Sequence, residues 1–263
     1  MFKVEKFPHG TFSWADCQST DAEKAKKFYV ELMGWSKNDQ PMGEGMVYTM
    51  FEKDGENVGA LNQMQTEMQA QGIPSFWNNY ITVDDVDALA EKVTELGGKV
   101  TSPPFDVFES GRMMVIQDPT GANVSLWQAK DSIGASLVNT TGAMIWNELA
   151  TRDVPKAMEF YKNLLGWEFQ KAENLDYHFI VNNGRMNGGM LTINANMGDI
   201  PPNWMVYYNI ADIDAAVKKV KDLGGQVHVE GQSPVGPFAV IADPAGAVLT
   251  IMQADQPQPW LES

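Results

Sequence analysis

The sequence predicts an α+β protein of two tandem halves, each built from two βαβββ modules whose strands form one curled mixed sheet around a cup. Three observations carry that prediction. The stretch Trp14–Trp35 recurs at Trp146–Trp167, an offset of 132 (146 − 14), and nine of its 22 positions match without a gap. Ile73-Pro74 ahead of one strand signal recurs as Ile200-Pro201, and Asp118-Pro-Thr-Gly121 recurs as Asp243-Pro-Ala-Gly246. Within each half the order strand, helix, strands is met twice. Self-similarity on this scale marks a structure assembled from like units.

The elements follow in order. An alternating strand runs up to Asp21, whose carboxylate suits the start of a helix because it can accept from free backbone N–H groups. Ala25, Phe28, Tyr29 and Leu32 stand at i, i+3, i+4 and i+7, the spacing of one buried face. Gly34 supplies the left-handed residue that closes the helix. Met46–Glu52 and Asn57–Gln63 read as hairpin strands about the turn Lys53-Asp-Gly55-Glu, and Thr66–Gly72 reads as a polar connection. Phe76–Val83 is a strand, and Asp84 or Asp85 caps a helix with Val86, Leu89, Ala90, Val93 and Leu96 on its inner face. Gly97-Gly98 ends that helix. Val100, a loop through Pro103-Pro104, Arg112–Gln117 and Ala122–Trp127 complete the half.

The second half mirrors the first through Tyr177–Val181, Asn182-Asn-Gly184, Asn187–Ile193, Trp204–Ile210 and a helix from Asp212 to Gly224-Gly225. The boundaries drawn from this are a first domain at 1–128, a linker at 129–142, a second domain at 143–254 and a Pro-rich tail at 255–263.

Composition bounds the function. With 263 residues and 44% hydrophobic content the chain can bury two cores. A formal charge of −15 argues against nucleic acid and against anionic membrane as partners. Cys17 is the single cysteine, so no internal disulfide forms and a reducing, cytoplasmic setting is expected. No run of about 18 apolar residues suggests a membrane span. The expected state is a monomer acting as a pseudo-dimer, or a homodimer.

Three short patterns carry a family resemblance: Trp-x-[Asp/Glu] in the first strand, Phe-Tyr-x-x-Leu-x-Gly-Trp after the first helix, and Asp-Pro-x-Gly-Ala near the end of each half. With them, residues of roughly 10–128 and 142–253 resemble the vicinal oxygen chelate superfamily of glyoxalase I, bleomycin-resistance proteins and extradiol dioxygenases, in its two-domain glyoxalase-like form. The resemblance implies eight strands curled around a cup in each domain, and in the family's enzymes a divalent metal held there by His, Glu or Gln. Its ligand positions fall on Trp14 and Trp146, Ala60 and Gly189, Asn78 and Met205, and Ser125 and Thr250. None is a histidine or a carboxylate, and such ions need those donors to replace lost water. His9, His178 and His228 are too few to furnish both cups. No cofactor is therefore expected, and a divalent metal is disfavoured.

Period-two alternation puts Trp14, Asp16 and Gln18 on one strand face and Trp146, Glu148 and Ala150 on its counterpart. Asp16 and Glu148 should then point into the cups beside an indole, joined by Asn78, Tyr80, Ser125 and Trp127 in one and by Met205, Tyr207 and Thr250 in the other. As a ligand site these supply an acceptor, a stacking surface and hydroxyls. As structure, the acids would be satisfied by backbone or by Arg112 or Arg152, and the aromatics would fill a small barrel. Arg112 is also a candidate to cover the cup mouth and hold an anion. Cys17 alternates to the opposite face and should pack under a helix.

The reading these residues favour is a metal-independent binder of a small, partly aromatic molecule. A metal-dependent lyase or dioxygenase of the glyoxalase I type and a protein-binding scaffold stay open as alternatives.

Overall fold

The computed structural model describes residues 2–43 and 45–254, and the tail expected at 255–263 lies outside them. In the first half, β1 (Phe2–Lys3) and β2 (Thr11–Ser19) precede α1 (Ala22–Met33). Strands β3 (Ser36–Pro41), β4 (Val47–Lys53) and β5 (Glu56–Gln63) follow, then α2 (Thr66–Ala70), β6 (Phe76–Thr82) and α3 (Val86–Glu95). β7 (Lys99–Val107), β8 (Gly111–Gln117) and β9 (Asn123–Ala129) close the half. After β10 (Leu137–Val138), the second half runs β11 (Met144–Thr151), α4 (Val154–Leu165), β12 (Glu168–Lys171), β13 (Tyr177–Asn182) and β14 (Arg185–Thr192). It ends with β15 (Asn203–Asn209), α5 (Ile213–Asp222), β16 (Gln226–Ser233), β17 (Gly236–Ala242) and β18 (Val248–Met252).

The helix signals are met by matching caps. Asp21, Asp85, Asp153 and Asp212 each accept from the backbone N–H three residues on, and Gly34 and Gly166 take the left-handed conformation at φ 69° and 77°. Each cap satisfies an N–H that the first helical turn leaves free.

One sheet has the order β3-β4-β5-β2-β6-β9-β8-β7, the other β12-β13-β14-β11-β15-β18-β17-β16 with β10 and β1 added beside β11. The opening strands of the two modules pair antiparallel at the centre, β2 with β6 and β11 with β15. Parallel partners flank them, and the outer hairpins curl around. The four central strands of each sheet thus converge on one concave face.

Several local expectations are corrected. β3 and β12 are strands that the pattern did not reveal, because as sheet edges they keep little or nothing buried; every residue of β3 is exposed. β7 continues through Pro103-Pro104 where a loop was expected, with register shifts between Val100 and Phe105. As an edge strand it can spare proline's missing N–H. Thr66–Ala70 forms a short helix with no buried residue. The stretch expected as a linker is no bare tether: it buries Ala135, Leu137 and Val138, and β10 pairs with β11 at Val138 and Met144.

The halves pack back to back, each main helix lying on its own sheet and against a helix of the other half, α1 with α5 and α3 with α4. One core joins Phe28, Tyr29 and Trp35 to Val206, Tyr208 and Val217; another joins Val93 and Ile116 to Phe160, Tyr161 and Trp167. Trp35 Nε1 donates to the Gly142 carbonyl (2.7 Å) and Trp167 Nε1 to that of Gly10 (2.8 Å), the same bond written twice about a pseudo-twofold. Between the sheets Asn147 donates to Asn79 at 2.7 Å. Cys17 is fully buried in the first of these cores. Alternation then leaves Trp14 and Asp16 on the opposite, concave face of the strand.

Candidate functional site

In the first cup the pairing register sets Asp16 opposite both Ala60 and Asn78, Trp14 opposite Tyr80, and Tyr80 beside Ser125. Asp16 is only 2% exposed, and its Oδ2 accepts from the Tyr48 hydroxyl (2.9 Å) and the Tyr80 hydroxyl (2.8 Å). Trp14 Nε1 donates to the Tyr48 oxygen at 3.0 Å. Asn78 and Ser125 bond to each other at 2.9 Å, and Trp127 meets the Tyr80 ring edge-on. Asp16 Oδ1 is buried outside hydrogen-bond geometry to any group. Burial raises the Asp16 pKa from 3.8 to about 6, with Tyr80, Tyr48 and Asn78 pulling it back. Loss of water thus outweighs the hydroxyls.

The second cup repeats the plan with different parts. Glu148 lies opposite Gly189 and Met205, and Trp146 lies opposite Tyr207, which pairs with Thr250. Tyr207 donates to Glu148 Oε1 at 2.6 Å, and Trp146 Nε1 donates to the Tyr177 oxygen at 2.8 Å. Burial raises the Glu148 pKa, opposed by hydrogen bonds from Tyr207 and Tyr177. Phe179 sits edge-on to both Tyr177 (5.2 Å between centroids) and Trp146 (6.4 Å). Thr250 Oγ1 is buried without a partner.

Each cup therefore holds an indole N–H on a tyrosine and a carboxylate between two tyrosine hydroxyls. Burial and the adjoining acid push all four phenols well above their ordinary pKa, so they remain donors at neutral pH. Tyr48 and Tyr177 were not among the residues singled out from the sequence. The signal was available: each lies 12 residues before the strand position facing the acid (60 − 48 and 189 − 177). Aligning the halves through their hairpins pairs the two tyrosines.

Other assignments change. Arg112 does not reach a cup mouth; its Nε and Nη2 hold Asp87 at 2.6 and 2.8 Å, and Nη1 lies 3.4 Å from Asp106. It sits on β8 next to Met113, so alternation turns it outward. Arg152 donates to the Ile200 carbonyl at 3.0 Å. Neither arginine satisfies a cup acid; tyrosines do. His178 takes the strand face opposite to Tyr177 and Phe179.

The cups differ in access. In the first cup Trp14, Asp16, Tyr80, Ser125 and Trp127 are buried and Tyr48 and Asn78 half-buried; in the second Tyr207 and Thr250 are buried and Trp146, Glu148, Met205, Tyr177 and Phe179 half-buried. Two recesses of about 280 and 270 Å³ lie along the seam between the halves, beside Arg185 and Lys219, away from the cups. The seam recesses bring none of the acid–tyrosine chemistry together, so the cups remain the candidate site.

Among the described residues no group of three or more His, Cys, Asp or Glu is placed to hold a metal ion. Each cup brings one carboxylate, already engaged by hydroxyls, to a floor of Ala60 or Gly189, Asn78 or Met205, and Ser125 or Thr250. That donor set does not fit a divalent ion.

Known proteins bear on this geometry. The model of the Glyoxalase/Bleomycin resistance protein/Dioxygenase superfamily matches residues 11–126 and 142–251. A relative described as "Putative glyoxylase CFP32" in Mycobacterium tuberculosis is 42% identical over 259 residues, covering 96% of this chain and 98% of its own. The anthracycline biosynthesis protein DauV of a Streptomyces species is 30% identical over 272 residues, covering 97% and 98%. Among solved structures, the Mn(II)-bound glyoxalase of Novosphingobium aromaticivorans matches with a TM-score of 0.65 at 17% identity, over 93% of this chain and 82% of that one. The 2,3-dioxygenase LapB of a Pseudomonas species matches at 0.64 and 12%, over 97% and 96%.

Proposed function

The chain belongs to the Glyoxalase/Bleomycin resistance protein/Dioxygenase superfamily, and from that premise we propose that it binds a small, partly aromatic organic molecule in its cups without a resident metal. One observation carries this reading. Where the family's enzymes would turn ligands toward an ion, each cup turns a carboxylate held by two tyrosines beneath an indole. Such a set offers ring faces for stacking and carboxylate lone pairs for a ligand's O–H or N–H. The Streptomyces relative named for anthracycline biosynthesis supports a planar aromatic ligand, since an anthracycline is itself a hydroxylated fused-ring molecule.

A second reading, a metal-dependent lyase or dioxygenase, draws support from the Mn(II)-bound glyoxalase of like fold and from the mycobacterial relative's description as a glyoxylase. It requires ligands that the cup side chains do not supply. Elemental analysis of the purified protein separates the two, together with melting shifts for a panel of hydroxylated aromatics on metal-stripped and metal-replete samples. The binder reading expects equal shifts in both samples. About one tightly held Mn, Fe, Ni or Zn per chain, with shifts lost on stripping, would overturn it.

A further inference from the structure

The second cup contains a carboxylate that lacks a counter-charge. Among the described residues, the groups that bear on Glu148 are the Tyr207 and Tyr177 hydroxyls, with no Lys, Arg or His among them. A half-buried anion is costly unless something positive compensates it. Asp16 is in the same position at 2% exposure, whereas Glu148 is half-buried. The walls around Glu148 are ring faces and edges. Trp146, Tyr177 and Phe179 form an edge-to-face trio, all half-buried, with Met205 across the floor. The corresponding first-cup residue to Phe179 is Met50, which faces Ala60 as Phe179 faces Gly189. The second cup therefore adds the Phe179 ring to its indole and tyrosines where the first cup has Met50.

Gly189 makes this arrangement possible. A Cβ built there would collide with the Tyr177 ring and hydroxyl, so the bare backbone is what lets Tyr177 lean across the floor. Aromatic faces carry negative quadrupole charge and attract cations, most strongly where water is excluded. An acid at the base of such a trio adds a negative charge once a cation draws its proton off, and the chain's −15 formal charge favours the approach of cations.

We propose that the second cup recognises a small organic cation, a quaternary ammonium or protonated amine, with Trp146, Tyr177 and Phe179 as the cage and Glu148 as counter-ion. The proposal rests on the binder reading above and adds to it the charge of the ligand and the cup that takes it. Its test uses the whole chain with choline and its neutral carbon isostere, dimethylbutanol, followed by calorimetry and by aromatic-proton shifts in NMR. Choline is expected to bind about tenfold or more tightly than the isostere. That preference should vanish in Glu148→Gln, which keeps the side chain's size and its tyrosine bonds, and fall severalfold in Phe179→Leu, which keeps the bulk and removes the ring. A single cooperative melting transition in both variants, no lower than that of the wild type for Glu148→Gln, would show that the fold survives. Equal binding of choline and isostere would overturn cation recognition while leaving the binder reading intact. Equal losses of both probes in Glu148→Gln would also overturn it. If neither probe binds while hydroxylated aromatics still do, the cation proposal fails alone; if nothing binds, both readings fail together.

Discussion

Replacing Asp16 with Asn tests the cup's electrostatics directly. In the folded chain the Asp16 carboxyl has its pKa raised from 3.8 to about 6, chiefly because burial removes water from the charged form. The fold therefore holds the proton more tightly than the unfolded chain does. The corresponding stability is fully present below pH 3.8 and is lost as pH rises through about 6. At ~1.4 kcal/mol per pH unit, the gap between the two values amounts to about 3 kcal/mol of stability missing at neutral pH. Asn resembles the protonated acid in size and still accepts from Tyr48 and Tyr80. Asp16→Asn should then match the wild type near pH 3.5 and exceed it by roughly 2–3 kcal/mol at pH 7.5. Urea unfolding at a series of pH values reads this difference. A variant whose deficit against the wild type grew as pH rose would mean that the tyrosines hold Asp16 ionised, and a difference constant with pH would mean that its pKa is not shifted; either would sink the desolvation argument.

Two further substitutions probe the second cup and the seam. Gly189→Ala should drive Tyr177 off its seat and break its bonds to Trp146 and Glu148; a loss of about 1–3 kcal/mol and a changed tryptophan emission are expected, whereas Ala60→Gly in the first cup should leave Trp14 emission unchanged. Tyr161→Phe leaves Asp118 Oδ2 and Trp204 Nε1 without the hydroxyl that now serves both at 3.1 and 2.9 Å, and chemical denaturation should show a cost of about 1–3 kcal/mol.

How much of this the sequence disclosed depends on where information is stored. The buried strands and four main helices were legible, since their periodicity and Asp caps act within a few residues. β3 escaped because an edge strand with the sequence Ser-Lys-Asn-Asp-Gln-Pro buries nothing and so shows no alternation. The placement of Asp16 beside Trp14, Tyr80 and Asn78 follows from strand register, which the internal duplication made readable. Tyr48 escaped because the hairpin strand that carries it reaches Asp16 only after the sheet has curled; the shared 12-residue spacing pairs it with Tyr177 but does not by itself place either beside an acid. The Arg112 assignment failed for a related reason. Its partner Asp87 lies 25 residues away on a helix that covers the outer face.

The helices packed between the two sheets lead to a prediction about folding. In one half alone, Phe28 would lose the packing of Gly225, and both Trp35 and Trp77 would lose the Tyr208 ring that stands 5.1 and 5.6 Å from them. Fully burying a large apolar side chain contributes about 1.5–3 kcal/mol, so partly uncovering three removes about 2–5 kcal/mol. That is a sizeable share of the stability a whole domain possesses, typically about 5–15 kcal/mol. Polar bonds would be severed as well, among them Trp35 to Gly142 and Asn79 to the Trp204 carbonyl. Residues 1–128 produced alone should therefore give no cooperative urea transition and should aggregate. Mixing them with residues 129–263 during refolding should restore one. A monomeric first half with its own sharp transition would show that the cups fold independently, and that the aromatic seam joins two finished domains instead of completing them.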